Sequence, residues 1–488
     1  MTEADPRRWE ALPVILVATF MGLFDVFVVN VAAPAMQRDI HASPSDLQLV
    51  VGGYAFAYAA FLITGGRLGD RYSYRRLFLG GMAVFTAASA ACGLAGTPFE
   101  LIVARVAQGL GAALMVPQVL ALITALFPAA ERHRALAWFG VTVGTGAIAG
   151  QVLGGALVQI DLFGWGWRTI FFVNVPIGIA AVALASRLLP DNRSSAHPQL
   201  DPVGVLGVTG ALALALVPLT LGRSEGWPWW LIVPLCAAPP FLALAARYEA
   251  ALARRGGQPV LDLSLFAARS FSAGLVVNVG VFAYFGSILL GLTLFLQEGL
   301  GLSALDAGLS FAPLGVGFAG TSLLARPLIA RHGARVVTGG LVVALAALGG
   351  QLLDIHFSGR ATDAVRLAPL FFAIGVGNGL VIPALIGVSL TDVRPQKAGA
   401  AAGTLATGQQ FATAAGVAVL SEIFFAGLGH APTAHAYLRA IQYVLVLDVS
   451  LLVACIAASL FLPRPQAAAA PAQPRPRRVE AAEALESD

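Results

Sequence analysis

Two charged side chains stand deep inside long apolar stretches of this sequence. Asp25 lies in the stretch 13–35, and Arg105 lies in the stretch 100–122. A charge at the centre of a bilayer costs roughly 2.5–3.5 kcal/mol on insertion scales, so such residues are usually retained for function. A carboxyl group at this depth can take up and release a proton, and a guanidinium can pair with it. Asp25 and Arg105 are therefore candidate proton-coupling residues; the alternative for each is a structural role in a helix contact.

Other polar side chains also interrupt apolar segments. Glu422 and Asp448 are further candidates for proton coupling, although Glu422 falls near the end of its segment, where water at the membrane surface can solvate it. Several amides and one tyrosine could line a substrate cavity, or could instead join neighbouring helices by hydrogen bonds. These residues are Asn30, Gln108, Gln118, Asn278, Tyr284, Asn378 and Gln410.

The elements that must position these residues are long apolar helices. The chain has 488 residues, of which 58% are hydrophobic and 11% charged, and its mean hydropathy is +0.79. Repeated apolar stretches of about 20 residues indicate an all-α integral membrane protein. We predict fourteen transmembrane helices, at 13–35, 47–68, 77–96, 100–122, 135–158, 169–189, 203–222, 228–247, 272–296, 305–329, 334–354, 366–388, 402–425 and 439–462.

The order of these helices predicts two related halves. The segment LIARHGAR, from Leu328 to Arg335, repeats LGDRYSYR, from Leu68 to Arg75, in a degenerate form 260 residues later. The predicted parts are a cytoplasmic N-terminus at 1–12, a six-helix bundle at 13–189, linkers with two extra helices at 190–271, a second six-helix bundle at 272–462, and a disordered cytoplasmic tail at 463–488. The two extra helices are those at 203–222 and 228–247.

The distribution of basic residues predicts the orientation. With both termini in the cytoplasm, 23 of the 30 lysine and arginine residues lie on the inner side and 6 on the outer side. This bias explains the basic pI without nucleic acid as a partner. All loops are short, so a soluble catalytic domain has no room, and the sequence shows no motif for a metal or a cofactor. We therefore expect a multi-pass protein of the plasma membrane that is not an enzyme.

The segment GGRLGDRYSYRR, from Gly65 to Arg76, combines glycines with concentrated charge on an inner turn. Its arginines act as topology signals, but orientation does not explain the acidic residue. Asp70 can hold an ion pair in one conformation and lose it in another, which would make the turn a gate; the alternative is a static turn stabilised by charge. The candidate gating residues are Gly66, Gly69, Asp70, Arg71, Arg75 and Arg76.

Several of these segments resemble one transporter family. GGRLGDRYSYRR resembles the signature loop between helices two and three of the major facilitator superfamily, with Ser73 where the family usually has glycine. FDVFVVNVAAPAMQRDI, which starts at Phe24, is similar to the first-helix pattern of the 14-helix drug/proton antiporter branch. LIVARVAQGLGAA, which contains Arg105 and Gln108, is similar to its fourth-helix motif. The resemblance implies a fold of two six-helix bundles with two inserted helices, and it associates Arg105 with proton transfer.

The antiporter motif of the fifth helix is present in altered form. The chain has GQVLGG from Gly150 to Gly155, with Gln151 in place of the proline of the motif. A proline would kink the helix and a glutamine does not, but Gly150, Gly154 and Gly155 still permit close helix packing.

The resemblance implies a secondary active transporter that exports lipophilic small molecules, cationic ones included, in exchange for protons by alternating access. Drug or antibiotic efflux is the expected activity. One alternative is a dedicated exporter of a single endogenous metabolite or lipid, and another is a non-transporting membrane sensor with the same fold. The expected partners are a small-molecule substrate, protons and membrane lipid, and the expected state is a monomer.

Overall fold

The computed structural model describes residues 6–191, 201–222, 225–257, 259–359, 362–394, 397–429 and 433–463, and every regular element in these ranges is helical. The predicted tail at 463–488 therefore lies almost entirely outside the described residues. Fourteen long helices follow one another: α1 (Arg8–Asp39), α2 (Pro44–Tyr72), α3 (Tyr74–Leu94), α4 (Pro98–Leu126), α5 (Ala129–Ile160), α6 (Asn174–Leu188), α7 (Pro202–Leu221), α8 (Trp229–Arg254), α9 (Arg269–Leu294), α10 (Ala312–His332), α11 (Arg335–Ser358), α12 (Ala364–Ser389), α13 (Ala398–Leu428) and α14 (Ala434–Ser459).

Short helical segments extend three of these helices. A single turn, Thr169–Phe172, precedes α6, a π-helical turn, Phe295–Gly299, follows α9, and a short helix, Ala304–Ser310, precedes α10. We call outer the ends of the helices that meet the α1–α2 and α5–α6 connections, and inner the opposite ends, following the predicted orientation.

Twelve helical segments of the described chain are long and apolar enough to cross a membrane. They correspond to all of the long helices except α5 and α10. The prediction of a multi-pass, all-helical protein is confirmed, whereas the prediction of fourteen spans is not confirmed. Both α5 and α10 include positions whose side chains are not described, so the twelve segments are a count of the described residues alone.

Local sequence sets where two of the helices begin. Ser43 precedes α2 and accepts a hydrogen bond from the backbone N–H of Asp46, whose carboxylate in turn accepts from the Ser43 backbone N–H at 2.8 Å. Thr97 and Glu100 form the same reciprocal cap at the start of α4. Such caps satisfy N–H groups that the first turn of a helix leaves unpaired, and they stabilise both outer helix starts.

The turn between α2 and α3 has an unusual backbone at Ser73. Its φ angle is 152°, in a region that favours glycine. This geometry is the physical reason why glycine is usual at this position in the signature that the turn resembles. The Ser73 hydroxyl donates to Asp191 at 2.6 Å and caps the start of α3 by accepting from the Arg76 backbone. These contacts stabilise a conformation that would otherwise be strained.

Helix packing repeats along the chain with an offset of eight helices. In the first half α1 packs on α5, α2 and α3 pack on α4, and α3 packs on α6. In the second half α9 packs on α13, α10 and α11 pack on α12, and α11 packs on α14. The same pairs therefore recur in each half, as expected for two related bundles that flank the inserted helices α7 and α8.

The two halves meet along two seams. In one seam α2 packs on α13, and α7 covers this contact by inserting Leu216 beside Ala55 and Ala414. In the other seam the outer part of α5 packs on the short helix that precedes α10. Gln297 also donates from the end of α9 to the Val31 carbonyl of α1 at 2.8 Å. The α5 contact and the Gln297 hydrogen bond hold the outer ends of the halves together.

Candidate functional site

The two intramembrane charges that the sequence singled out form an ion pair. Arg105 Nη1 on α4 donates to Asp25 Oδ2 on α1, and both side chains are almost fully buried, at 1% and 0% exposure. Gln108 lies one turn along α4 and joins the pair: its Nε2 donates to Asp25 Oδ1 at 2.7 Å, and its Oε1 accepts from Arg105 at 2.7 Å. We call Asp25, Arg105 and Gln108 the charge cluster.

The surroundings of Arg105 fix its position. Its Nε donates to the Val50 carbonyl of α2 at 3.0 Å, so the side chain bridges three helices of the first half. The guanidinium also lies over the ring of Tyr54, 4.5 Å from its centroid, and 5.8 Å from the centroid of Phe171. Desolvated cation–π contacts of this kind contribute about 2 kcal/mol. The arginine is thus held independently of Asp25.

The charges of Asp25 and Arg105 cancel, but their attraction depends on whether Asp25 is protonated. One carboxylate faces one guanidinium in a buried setting, where an effective dielectric constant of 20 gives an attraction of about 4 kcal/mol at 4 Å. Protonation of Asp25 would remove this attraction and leave the charge of Arg105 supported only by carbonyl, amide and ring contacts. The arrangement can therefore exist in two states that differ by one proton and by the ion pair between Asp25 and Arg105.

The second half contains its own buried polar group around Asp448. Asp448 on α14 is fully buried, and Ser287 on α9 lies within electrostatic reach of it, yet neither carboxylate oxygen makes a hydrogen bond of normal geometry to a described residue. Tyr284, one turn before Ser287, accepts a hydrogen bond from Asn378 Nδ2 of α12 at 3.3 Å. The structure thus brings three of the predicted residues, Asp448, Tyr284 and Asn378, to one place. Glu422 is half-buried on α13.

Most of the predicted cavity amides act in helix contacts. Asn278 Nδ2 donates to the Leu405 carbonyl at 3.0 Å, which joins α9 to α13. Gln118 Nε2 donates to the Gly65 carbonyl of α2 at 2.9 Å. Asn30 donates to the Val26 carbonyl within α1, and its oxygen lacks a partner among the described residues. Gln410 is half-buried on α13.

The predicted gating turn is attached to its own half. Asp70 accepts a hydrogen bond from the Tyr74 hydroxyl at 2.7 Å. Arg75 donates to the Ser186 carbonyl at the end of α6, and Arg76 pairs with Asp191 at 3.3 Å. Arg71 lies over the ring of Tyr72, Gly66 packs beside Pro117, and Gly69 lies directly against the side chain of Gln118.

One described link from this region to the linker after α8 comes from a residue that the prediction omitted. Arg67, one turn before the acidic residue of the turn, donates to the carbonyl of Pro259 in the linker between α8 and α9. The sequence signal for it was present, since Arg67 lies in the same charged segment. Its partner is a backbone carbonyl, which sequence patterns do not reveal.

The glycines of the fifth helix permit two close contacts. A Cβ on Gly150 would stand 2.6 Å from Phe27 Cβ, and one on Gly154 would stand 2.6 Å from Val28 Cγ2, so both positions allow α5 to approach α1. Gly155 lies against the backbone of Ala304, across the seam between the halves. Reciprocally, Gly308 lies against the carbonyl of Gln151.

Comparison with known proteins decides the family. The Major Facilitator Superfamily model matches residues 15–417. The chain belongs to the major facilitator superfamily. The match includes both members of the buried ion pair, the charged turn and the glycine-rich part of α5, and it extends into α13.

Superfamily members with related sequences include named exporters. The chain is 41% identical over 429 residues to the "Probable actinorhodin transporter" of Streptomyces coelicolor, a match that covers 88% of this chain and 74% of that one. It is 34% identical over 420 residues to the "Multidrug resistance protein Stp" of Mycobacterium tuberculosis, with 85% and 76% covered. Among solved structures, a bacterial homologue of the human lysosomal transporter Spinster, in an inward-facing and occupied conformation, aligns with a TM-score of 0.68 at 16% identity and covers 94% of this chain and 97% of that one.

Within the superfamily fold, Gln151 occupies the seam that alternating access must open. Its side chain is 4% exposed, and neither amide atom has a hydrogen-bond partner among the described residues. The α5 helix continues through this position without a break in its helical assignment, as expected for glutamine in place of proline. The loss of the motif proline thus leaves the close backbone contacts of the neighbouring glycines in place.

Proposed function

We propose that this chain is a proton-coupled exporter of lipophilic small molecules of the drug or antibiotic class. The observation that carries the proposal is the charge cluster, in which a buried carboxylate pairs with a buried guanidinium inside a transporter fold. Membership of the superfamily and the names of its relatives, which include an antibiotic transporter and a multidrug resistance protein, support this activity. A membrane sensor would have no need to retain so costly a pair of charges.

The proposed cycle uses the two states of the charge cluster. With the outer ends closed, Asp25 is paired with Arg105, and substrate enters from the inner side. The halves then rock so that the site faces outwards, substrate leaves, and a proton binds to Asp25. Return to the first state delivers that proton to the cytoplasm and restores the ion pair. Proton entry provides the energy, about 2.3 kcal/mol for each charge that crosses 100 mV.

The placement of the chain in the membrane and two further acidic residues belong to the same proposal. Both α5 and α10 cross the membrane as well, which makes fourteen spans in the plasma membrane with both termini in the cytoplasm. The protein works as a monomer in contact with lipid. Asp448 and Glu422 are secondary candidates for proton binding, and Asp448 has the stronger support because it is buried beside Tyr284 and Asn378.

A transport assay tests the proposal directly. Purified protein is reconstituted into proteoliposomes, and uptake of ethidium and Hoechst dye is followed under an imposed pH gradient. We expect saturable uptake that stops when nigericin collapses the gradient. Folded protein that accumulates neither dye contradicts broad drug export. Uptake of a single candidate metabolite would then identify a dedicated exporter, an alternative favoured by the relative named for actinorhodin alone.

The contact at Gly155 gives a prediction about alternating access. A leucine at this position would overlap the backbone of Ala304, so the outer ends could no longer close fully. Overpacking of a close contact typically costs 1–3 kcal/mol, and we therefore expect transport to fall about tenfold or more while the protein still folds. Spin labels at Ile160 and Leu309, on either side of this seam, should move apart in Gly155→Leu.

A matched control lies on the same helix. Gly140 has no neighbouring atom within 4 Å of the position of a Cβ, so Gly140→Leu should leave both transport and the distance between the labels unchanged. The labels are introduced in a background in which the exposed Cys236 is replaced by serine. Normal transport by Gly155→Leu would contradict a closing role for this contact.

A further inference from the structure

Two carboxylates are buried together at the inner ends of the inserted helices, away from the charge cluster. Asp201 immediately precedes α7, and Glu249 lies near the end of α8. Their exposed fractions are 7% and 0%. Neither residue belongs to the superfamily motifs discussed above, and the proposed transport cycle does not use them. Buried carboxylates that lack a full set of partners need a physical explanation.

Each carboxylate has one satisfied oxygen and one that lacks a partner. Asp201 Oδ1 accepts from the Gly204 backbone N–H at 2.9 Å and from the Tyr248 hydroxyl at 3.0 Å. Glu249 Oε2 accepts from the Val260 backbone N–H at 2.9 Å. By contrast, Asp201 Oδ2 and Glu249 Oε1 are buried without a hydrogen-bond partner in the described part of the chain.

The two unpartnered oxygens point at the same place. A Cβ built on Gly204 would overlap both of them, so they face each other across a space that this glycine leaves open. Two ionised carboxylates at such a position repel each other strongly in a medium of low dielectric constant. A single hydrogen between them would remove the repulsion and satisfy both oxygens at once, as in other carboxyl pairs that share one proton.

The charges around the two carboxylates also favour one bound proton. Arg67 of α2 lies within electrostatic reach of both carboxylates and also of Asp70 on its own helix. Arg255, at the end of α8, acts on the neighbouring Tyr248. Among the described residues, the single charge of the half-buried Arg67 cannot balance two ionised carboxylates, and a proton shared by the carboxylates removes the excess negative charge.

A second carboxylate near this site, that of Asp262, already has a basic partner. Asp262 lies in the segment that joins α8 to α9. It pairs at 2.8 Å with Lys397, which lies between α12 and α13. Burial raises the pKa of Asp262, but hydrogen bonds from Lys397 and Ser264 outweigh burial and leave that pKa below its usual value. Asp262 therefore stays ionised near neutral pH and does not compete for the proton.

We propose that Asp201 and Glu249 form a second proton-binding site, in which a hydrogen on Glu249 Oε1 is donated to Asp201 Oδ2. This site fastens the inserted helices to the first half, because Glu249 holds Val260 while the adjacent Pro259 carbonyl accepts from Arg67. Loss of the proton places two like charges at the junction of α7 and α8 and loosens this attachment. Since α7 lies over the seam between α2 and α13, the pH of the cytoplasm thereby acts on the contact between the halves.

Infrared spectroscopy of the full-length protein in lipid nanodiscs tests the site without any transport assay. Labelling with ¹³C-glutamate separates the carbonyl band of a protonated glutamate from the bands of Asp25 and Asp448. We expect the wild type to show a protonated glutamate band at neutral pH that Glu249→Gln loses and Glu422→Gln keeps. In Asp201→Asn the band should disappear at a pH about one unit lower or more, because a like charge is gone and the new amide donates to Glu249.

The control is Asp262→Asn, which removes an acidic residue of the same linker and should leave the glutamate band unchanged. If Glu249→Gln does not fold, the shift in Asp201→Asn decides the question. A glutamate band that is the same in wild type and Glu249→Gln would overturn the proposal, and so would an unshifted titration in Asp201→Asn. These readouts hold whether or not the dyes are transported, so failure of this site is distinguishable from failure of the proposed export.

Discussion

Asp25→Asn abolishes proton-driven accumulation of substrate but leaves downhill exchange intact. The amide keeps the size and a hydrogen-bond acceptor of the carboxylate, but it cannot carry a proton. One pH unit corresponds to 1.36 kcal/mol per proton, so a gradient of two units supports about 100-fold accumulation of a neutral substrate exchanged for one proton. We expect this ratio to fall to about 1 in Asp25→Asn, measured in proteoliposomes with the membrane potential clamped at zero.

The controls separate loss of coupling from loss of folding. Glu10→Gln removes an exposed acidic residue of the same helix and should accumulate substrate like the wild type. Substrate exchange between two equal pools, without a gradient, should survive in Asp25→Asn because the halves can still rock. Full accumulation by Asp25→Asn would exclude Asp25 as the carrier and direct attention to Asp448.

Arg105→Ala should have the largest effect on stability of any single change considered. It leaves the carboxylate of Asp25 buried without its cation and removes the link between α1, α2 and α4. Breaking a buried ion pair by removing one partner costs about 3–5 kcal/mol, so we expect a clearly lowered midpoint of thermal unfolding and no transport. Arg105→Lys keeps the charge but loses the forked contact with Asp25 and Val50, and it should be intermediate.

A double-mutant cycle tests whether the pair is the cause. Arg105→Ala combined with Asp25→Asn no longer contains an unpaired buried charge, so much of the lost stability should return while proton-driven transport stays absent. If the losses of the two single variants simply add in the double variant, the two residues do not interact energetically and the ion pair contributes nothing to stability.

The sequence predicts those residues of the site whose charge is costly to bury in a bilayer. Asp25 and Arg105 were identifiable because a charge within a bilayer is rarely tolerated without a function. Their mutual contact was left open, because it depends on the relative rotation and depth of α1 and α4, which are set by packing. Gln108 was predicted as a cavity residue, and the structure shows in addition that it forms hydrogen bonds with both charges.

The sequence did not predict hydrogen bonds to backbone carbonyls or the contacts of residues at helix ends. Arg105 donates to the carbonyl of Val50, and Arg67 donates to the carbonyl of Pro259. Because every residue has a backbone carbonyl, such a partner leaves no signal in the sequence. Glu249 was not predicted, because it lies beyond the predicted span at 228–247 and its sequence neighbours do not indicate a partner. Only the fold shows that the linker after α8 returns over it and that Asp201 is its neighbour.

Proton release on ligand binding shows whether Asp25 exchanges a proton for substrate. Ethidium is added to purified protein in a weakly buffered solution that contains a pH indicator, and dye binding is followed separately by its fluorescence. We expect the wild type to release protons on binding and to release more of them as the starting pH is lowered. Asp25→Asn should bind the dye without releasing any. Equal proton release from wild type and Asp25→Asn, or binding to the wild type without release at every starting pH, would contradict this exchange.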